Sequence, residues 1–315
     1  MQDRNHFREV LFGVAVGDAI GVPFEFMTRE EMKNKPATGI SGGGTWGQLA
    51  GTWSDDSSLT FCLAESLTHG FDLNDIAERF IRWKNEGYWT ASGKGFDIGN
   101  TTKAAIQRLE SGISPEYSGG TDLNSNGNGS LMRILPLVFY LQDKSLIERF
   151  EITSKVSGIT HKHNISVVAC FYYLEFARML IGGRDKSDIY RELKSILPPF
   201  LESMQIPHED LAAFDRLFKA DIFSLEESSI NSKGYVIDTL EATIWCLLNS
   251  PDYPTAVLKA VNLGGDTDTT AAVTGGLAAL CFGMDPVLLS WLNELLKISE
   301  IEELANKMKD TKWKC

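Results

Sequence analysis

Basic residues are in short supply: 30 Lys and Arg stand against 42 Asp and Glu, for a net charge of −12. That balance argues against nonspecific binding of nucleic acid or of an anionic membrane, which depends on neutralising phosphates. A local site for an anion stays open. No apolar stretch reaches the ~18 residues a membrane span needs, and Met1-Gln2-Asp3-Arg4-Asn5-His6 leads into no apolar signal core. The expectation is a cytoplasmic protein with no membrane span and no nucleic-acid partner. Cysteine is sparse: Cys62, Cys170, Cys246, Cys281 and Cys315 lack metal-ligand spacing, and the first four sit in apolar runs. They read as free, mostly buried thiols of a reducing compartment. Strand-like alternation, fixed-period repeats and low-complexity tails are also missing.

What is present is a globular composition, 43% hydrophobic and 23% charged over 315 residues. With helical periodicity throughout, the expected class is all-α, about ten or more helices in one domain covering 1–315. The richest stretch is Asn262-Leu263-Gly264-Gly265-Asp266-Thr267-Asp268-Thr269-Thr270. Two glycines permit a tight turn, and the small residues from Ala271 to Gly283 predict a buried helix behind it. Asp and Thr at a helix start cap free N–H groups. Two carboxylates among three threonines also make an oxygen set for Mg²⁺ or Mn²⁺. Thr52-Trp53-Ser54-Asp55-Asp56-Ser57-Ser58, delivered by the glycine-rich loop 39–51, repeats the pattern ahead of a helix carrying Leu59, Cys62, Leu63, Ser66 and Leu67. If the two segments meet, their like charges repel unless neutralised, and one or two metal ions become the favoured explanation.

Near the N-terminus, Phe7, Val10, Leu11 and Val14 mark a helix with Asp18 on its apolar face. Gly13, Gly17 and Gly21 form a second stripe that lets another backbone pack very close. Gly21-Val22-Pro23 ends this helix and leaves Glu25 in a loop between Phe24 and Phe26. Asp18 reads as a paired buried acid or a site residue, Glu25 as a loop acid or a site residue. Leu73 to Ile81 is amphipathic. Phe96-Asp97-Ile98-Gly99-Asn100-Thr101-Thr102 opens another helix, with Asn100 and Thr101 as natural caps. Asn124-Ser125-Asn126-Gly127-Asn128-Gly129-Ser130 precedes an expected helix at Leu131–Leu135; such a loop cradles phosphate through its N–H groups, with Arg133 one turn in as a bidentate donor. His161-Lys162-His163-Asn164 lies between helices; i, i+2 histidines suit substrate bonding or capping better than zinc. His6, His69 and His208 read as surface residues. The segment 186–233 is broken by Pro198-Pro199, Tyr235–Leu248 is another buried helix, and the tail from Pro286 to Trp313 is two amphipathic helices.

Gly17-Asp18 with Gly21 and Glu25, Ser54-Asp55-Asp56, Asn128-Gly129-Ser130-Leu131-Met132-Arg133, His161 and Gly264-Gly265-Asp266-Thr267-Asp268-Thr269 resemble, in this order, the ADP-ribosylglycohydrolase family over about residues 9–283. One departure is Ser54-Asp55-Asp56-Ser57 where the family usually has Thr-Asp-Asp-Thr. The resemblance implies an orthogonal helical bundle around a central dinuclear cleft, with two Mg²⁺ or Mn²⁺ ions held by Ser54, Asp55, Asp56, Asp266, Asp268 and Thr269 and Glu25 beside them. It implies that the ADP-ribose pyrophosphate follows Asn128, Gly129 and Ser130, and that His161 contacts the nucleotide. Asp97 resembles a substrate-side acid of arginine-specific bacterial members. The implied activity is hydrolysis of ADP-ribose from an acceptor, mono-ADP-ribosylated arginine on protein first. Serine-linked ADP-ribose, O-acetyl-ADP-ribose, another ribosyl compound, or a non-catalytic binding role are the alternatives. Proton transfer falls to Glu25 or to one of Asp55, Asp56 and Asp268.

Overall fold

In the computed structural model, residues 4–313 are described; Cys315 and the start Met1–Asp3 lie outside them. The described residues form α-helices, short 3₁₀ turns and three isolated bridges, with no named strand. The helices are α1 (His6–Gly21), α2 (Arg29–Asn34), α3 (Asp55–Leu67), α4 (Leu73–Glu86), α5 (Asn100–Glu110), α6 (Leu137–Tyr140), α7 (Leu146–Gly158) and α8 (Asn164–Ile181). There follow α9 (Lys186–Ser203), α10 (His208–Leu211), α11 (Asp215–Phe218), α12 (Val236–Leu248), α13 (Tyr253–Asn262), α14 (Thr267–Phe282), α15 (Pro286–Leu292) and α16 (Ile298–Asp310). Their buried apolar side chains join in one core.

The centre is the pair α1 and α14. A Cβ on Gly17 would lie 2.1 Å from Ala271 O, and one on Gly13 2.6 Å from both Ala279 Cβ and Gly275 O. No side chain other than hydrogen fits there, so the glycine stripe lets the two backbones touch. Arg4 ties the far ends together, donating to Ala279 O at 3.0 Å and Leu280 O at 2.7 Å at the C-terminal turn of α14. The consequence lies at the other end: Gly21, under the first turn of α14, brings Asp18 and Asp268 into one layer.

Three local expectations are corrected. Leu131–Leu135 is not a helix: a 3₁₀ turn at Asn128–Ser130 passes through further turns to α6, because Pro136 disfavours helical backbone before it. Pro198 and Pro199 do not break the chain but lie inside α9, whose buried stripe Ile189, Leu193, Leu197 and Leu201 runs straight past them. Packing of that stripe outweighs the ~3 kcal/mol that a helix-interior proline costs. His6 is hydrogen-bonded through Nδ1 to Glu9 Oε2 at 2.7 Å rather than a lone surface residue. The helix α8 is long and apolar enough by composition to cross a membrane, yet 83% of that window is buried inside the protein. It carries Glu175, paired with Arg149 at 2.5 Å.

Candidate active site

The positive φ of Gly264 (75°) and Gly265 (77°) turns the chain into α14. It also lets the turn pair with the segment after Glu25: Phe26 N donates to Gly265 O and Gly265 N to Met27 O, both at 2.7 Å. Glu25 is thereby locked beside α14. On the other side, Asp18 reaches from α1 to the start of α3. Its carboxylate accepts from Ser54 N (2.9 Å), Ser57 N (3.0 Å) and Ser57 Oγ (2.6 Å). Asp18 therefore acts as the clamp that sets Asp55 and Asp56 in place; its spacing showed it as buried but not which element it would hold.

The two acidic segments meet. Carboxylate oxygens of Asp18, Asp56 and Asp268 lie within 4.8 Å of one another, as do those of Glu25, Asp97 and Asp268. Asp268 belongs to both groups. Asp55, Asp266 and Thr269 line the cleft above them. Ser54 Oγ caps α3, accepting from Asp56 N at 3.2 Å and donating to Asp56 Oδ2 at 3.1 Å. Trp46 Nε1, which the sequence did not single out, donates to Glu25.

Burial and mutual repulsion govern the electrostatics. Asp55, Asp56 and Asp268 are pushed well above the usual carboxylate range, by burial first and by neighbouring acids second. Burial raises Glu25 to about 8, reinforced by Asp97, and raises Asp97 to about 7, reinforced by Asp266. Burial lifts Asp18 only to about 6, because its hydrogen bonds favour the charged form. Among the described residues, no Lys or Arg pairs with any of these acids. Asp56 Oδ1 and Asp268 Oδ2 are buried without a hydrogen-bond partner. Orphaned carboxylate oxygens in a cluster with no cationic side chain fit the donor set of a hard divalent cation.

The cleft, about 270 Å³, runs from Glu25, Asp55 and Asp97 to the loop Gly127–Gly129 and His161. Thr101, Thr102 and Met132 also line it and were not foreseen. Asn128 joins the two walls: its Nδ2 donates to Asp266 Oδ2 at 2.8 Å and to Thr239 Oγ1 at 2.9 Å. His161 packs under the loop, where a Cβ on Gly129 would be 2.9 Å from its Cε1. Burial, then Arg133, pulls His161 down to about 3, so it works as a neutral ring. His163 caps α8, accepting from Ile165 N. Two expected substrate contacts point elsewhere. Ser130 Oγ is buried 3.4 Å from Cys170 Sγ and 3.0 Å from Ser157 Oγ. The Arg133 guanidinium is buried beneath the loop, donating to Gly129 O at 2.5 Å and Val156 O at 3.2 Å, and does not line the cleft.

An all-α bundle in which two helix N-termini bring buried carboxylates beside a loop-lined cleft has the form of an enzyme with an acidic active site. The family is specific: the ADP-ribosylglycohydrolase family model matches residues 1–314, and the chain belongs to that family. It is 33% identical over 301 residues to the ADP-ribosylarginine hydrolase Tri1 of Serratia proteamaculans, covering 95% of this chain and 77% of that protein. It is 29% identical over 290 residues to the ADP-ribosyl-[dinitrogen reductase] glycohydrolase of Rhodospirillum rubrum, covering 90% and 87%. A solved ADP-ribosylglycohydrolase-related protein complex superimposes with a TM-score of 0.80 at 29% identity, covering 98% of each chain.

Proposed function

We propose that this hydrolase releases ADP-ribose from mono-ADP-ribosylated arginine on protein. The observation that carries the reading is the acidic cluster itself: the unpartnered buried oxygens of Asp56 and Asp268 lie behind Glu25 and Asp97, which line a cleft whose other wall is a glycine loop suited to an anion. The arginine acceptor draws support from the relatives named ADP-ribosylarginine hydrolase in Serratia proteamaculans and Pseudomonas putida.

In this reading Asp55, Asp56, Asp266 and Asp268, with Ser54 and Thr269, would hold two divalent cations, Mg²⁺ or Mn²⁺. Bound there, such cations supply Lewis acidity toward the ribose hydroxyls and a water. The protein's own groups do the rest. Gly127 and Gly129 receive the pyrophosphate through backbone, and neutral His161 supports that loop from below. Asp97, held at a left-handed φ of 60° beside Glu25, accepts hydrogen bonds from the acceptor guanidinium. Glu25, oriented by Trp46, passes a proton between the attacking water and the departing nitrogen as the bond to ribose C1 breaks. The test compares ADP-ribose release from arginine-linked, serine-linked and O-acetyl substrates. Arginine-linked substrate should be turned over fastest; faster release from either of the others contradicts the acceptor assignment.

A further inference from the structure

Two arginines are almost fully buried, and they differ in their company. Arg149 is paired with Glu175, at 2.5 Å and 2.9 Å. Arg133 is 0% exposed and has no carboxylate partner among the described residues. Its bonds go to the carbonyls of Gly129 and Val156, its plane lies 4.8 Å from the Phe80 ring centroid, and its Nε has no partner. A guanidinium keeps its charge under such conditions; burial brings this one down only to about 10. An unpaired buried charge is costly, and a methionine would fill the same space. The charge sits directly behind the loop that lines the cleft, and its field reaches across it: it acts on His161 and interacts with Asp55, both cleft residues.

Building on the ADP-ribose reading above, we propose that Arg133 is a positioning residue whose buried, carboxylate-free guanidinium sets a fixed positive charge behind the Gly127–Gly129 loop, with the pyrophosphate of bound ADP-ribose as its counter-ion. A protein of net charge −12 needs such a charge to receive an anion beside its own acids. The guanidinium is shielded from solvent and acts through the Gly129 peptide, without touching the ligand.

The test is calorimetric binding of ADP-ribose, ADP and uncharged adenosine to the Mn²⁺-loaded protein and to Arg133→Met and Arg133→Lys. Arg133→Met should weaken ADP-ribose and ADP about tenfold but adenosine no more than about twofold, because the lost interaction scales with ligand charge. Unchanged ADP-ribose binding, or equal loss for adenosine, overturns the proposal. If circular dichroism shows Arg133→Met unfolded, Arg133→Lys decides: ADP-ribose affinity within about threefold of wild type supports a charge role, and a tenfold loss in that folded variant overturns it. A wild-type protein that binds no ADP-ribose contradicts the proposed function itself, and the assignment of Arg133 falls with it.

Discussion

At the scale of single residues, the acidic cluster makes opposite demands on fold and function. Asp268 is buried among Glu25, Asp56, Asp266 and Asp97, which all raise its pKa. Asp268→Asn should therefore cost at least about a hundredfold in ADP-ribose release, since even residues behind metal ligands cost 10–100-fold. The same variant should melt no lower than wild type without metal, because the metal-free fold no longer has to take up a proton on this buried acid. A lower metal-free Tm with activity retained would contradict both parts. The sign of the pH dependence follows from the raised acids. Glu25 at about 8 and Asp97 at about 7 hold protons in the folded state that the unfolded chain has released. The metal-free fold binds more protons than the unfolded chain, so its stability falls as pH rises from the ordinary carboxylate range toward 8. Metal competes with those protons. The rise in Tm on adding Mn²⁺ should be larger near pH 8 than near pH 5, and about 2.7 kcal/mol is expected at a hundredfold excess over Kd. Differential scanning fluorimetry across that range reads it directly, and a constant shift would argue that metal binds elsewhere.

Among the helices, the contact of α1 with α14 sets the site. Gly17→Ala places a methyl group 2.1 Å from Ala271 O, where backbone must move. Overpacking costs about 1–3 kcal/mol, with the upper end expected where backbone must move, and the displaced helices carry Asp18 and Asp268. Denaturant titration should show that loss together with weaker Mn²⁺ binding; a neutral substitution would refute the close packing. This stripe was legible in the sequence, as were both acidic helix starts, because glycine spacing and caps are local signals. The 131–135 turns and the continuous α9 were not. At the first, Pro136 acts on a helical-looking run, and at the second a buried stripe overrides two prolines. Arg133 was read as facing the ligand because its spacing one turn into the loop is right; only its depth against Phe80 and Val156 redirects it. Trp46 carried no signal at all, since its bond to Glu25 depends on how a glycine-rich loop folds back.

For the whole molecule, a chain of net charge −12 presents a repulsive field to the anionic ADP-ribosyl group of the proposed substrate. Screening weakens that field over the ~10 Å Debye length of ~0.1 M salt, so kcat/KM should hold or rise with moderate salt. A steep fall would mean that attraction, not repulsion, governs the encounter. The motifs that carry the family resemblance fold together around Asp268, which groups with Asp18 and Asp56 on one side and with Glu25 and Asp97 on the other. The most direct test is release of free ADP-ribose from an arginine-ADP-ribosylated protein, measured with protein stripped by chelator and again after Mg²⁺ or Mn²⁺ is restored. Release that vanishes with chelator and returns with metal is the predicted result. Equal release by the stripped protein would contradict catalysis by a metal-loaded carboxylate cluster.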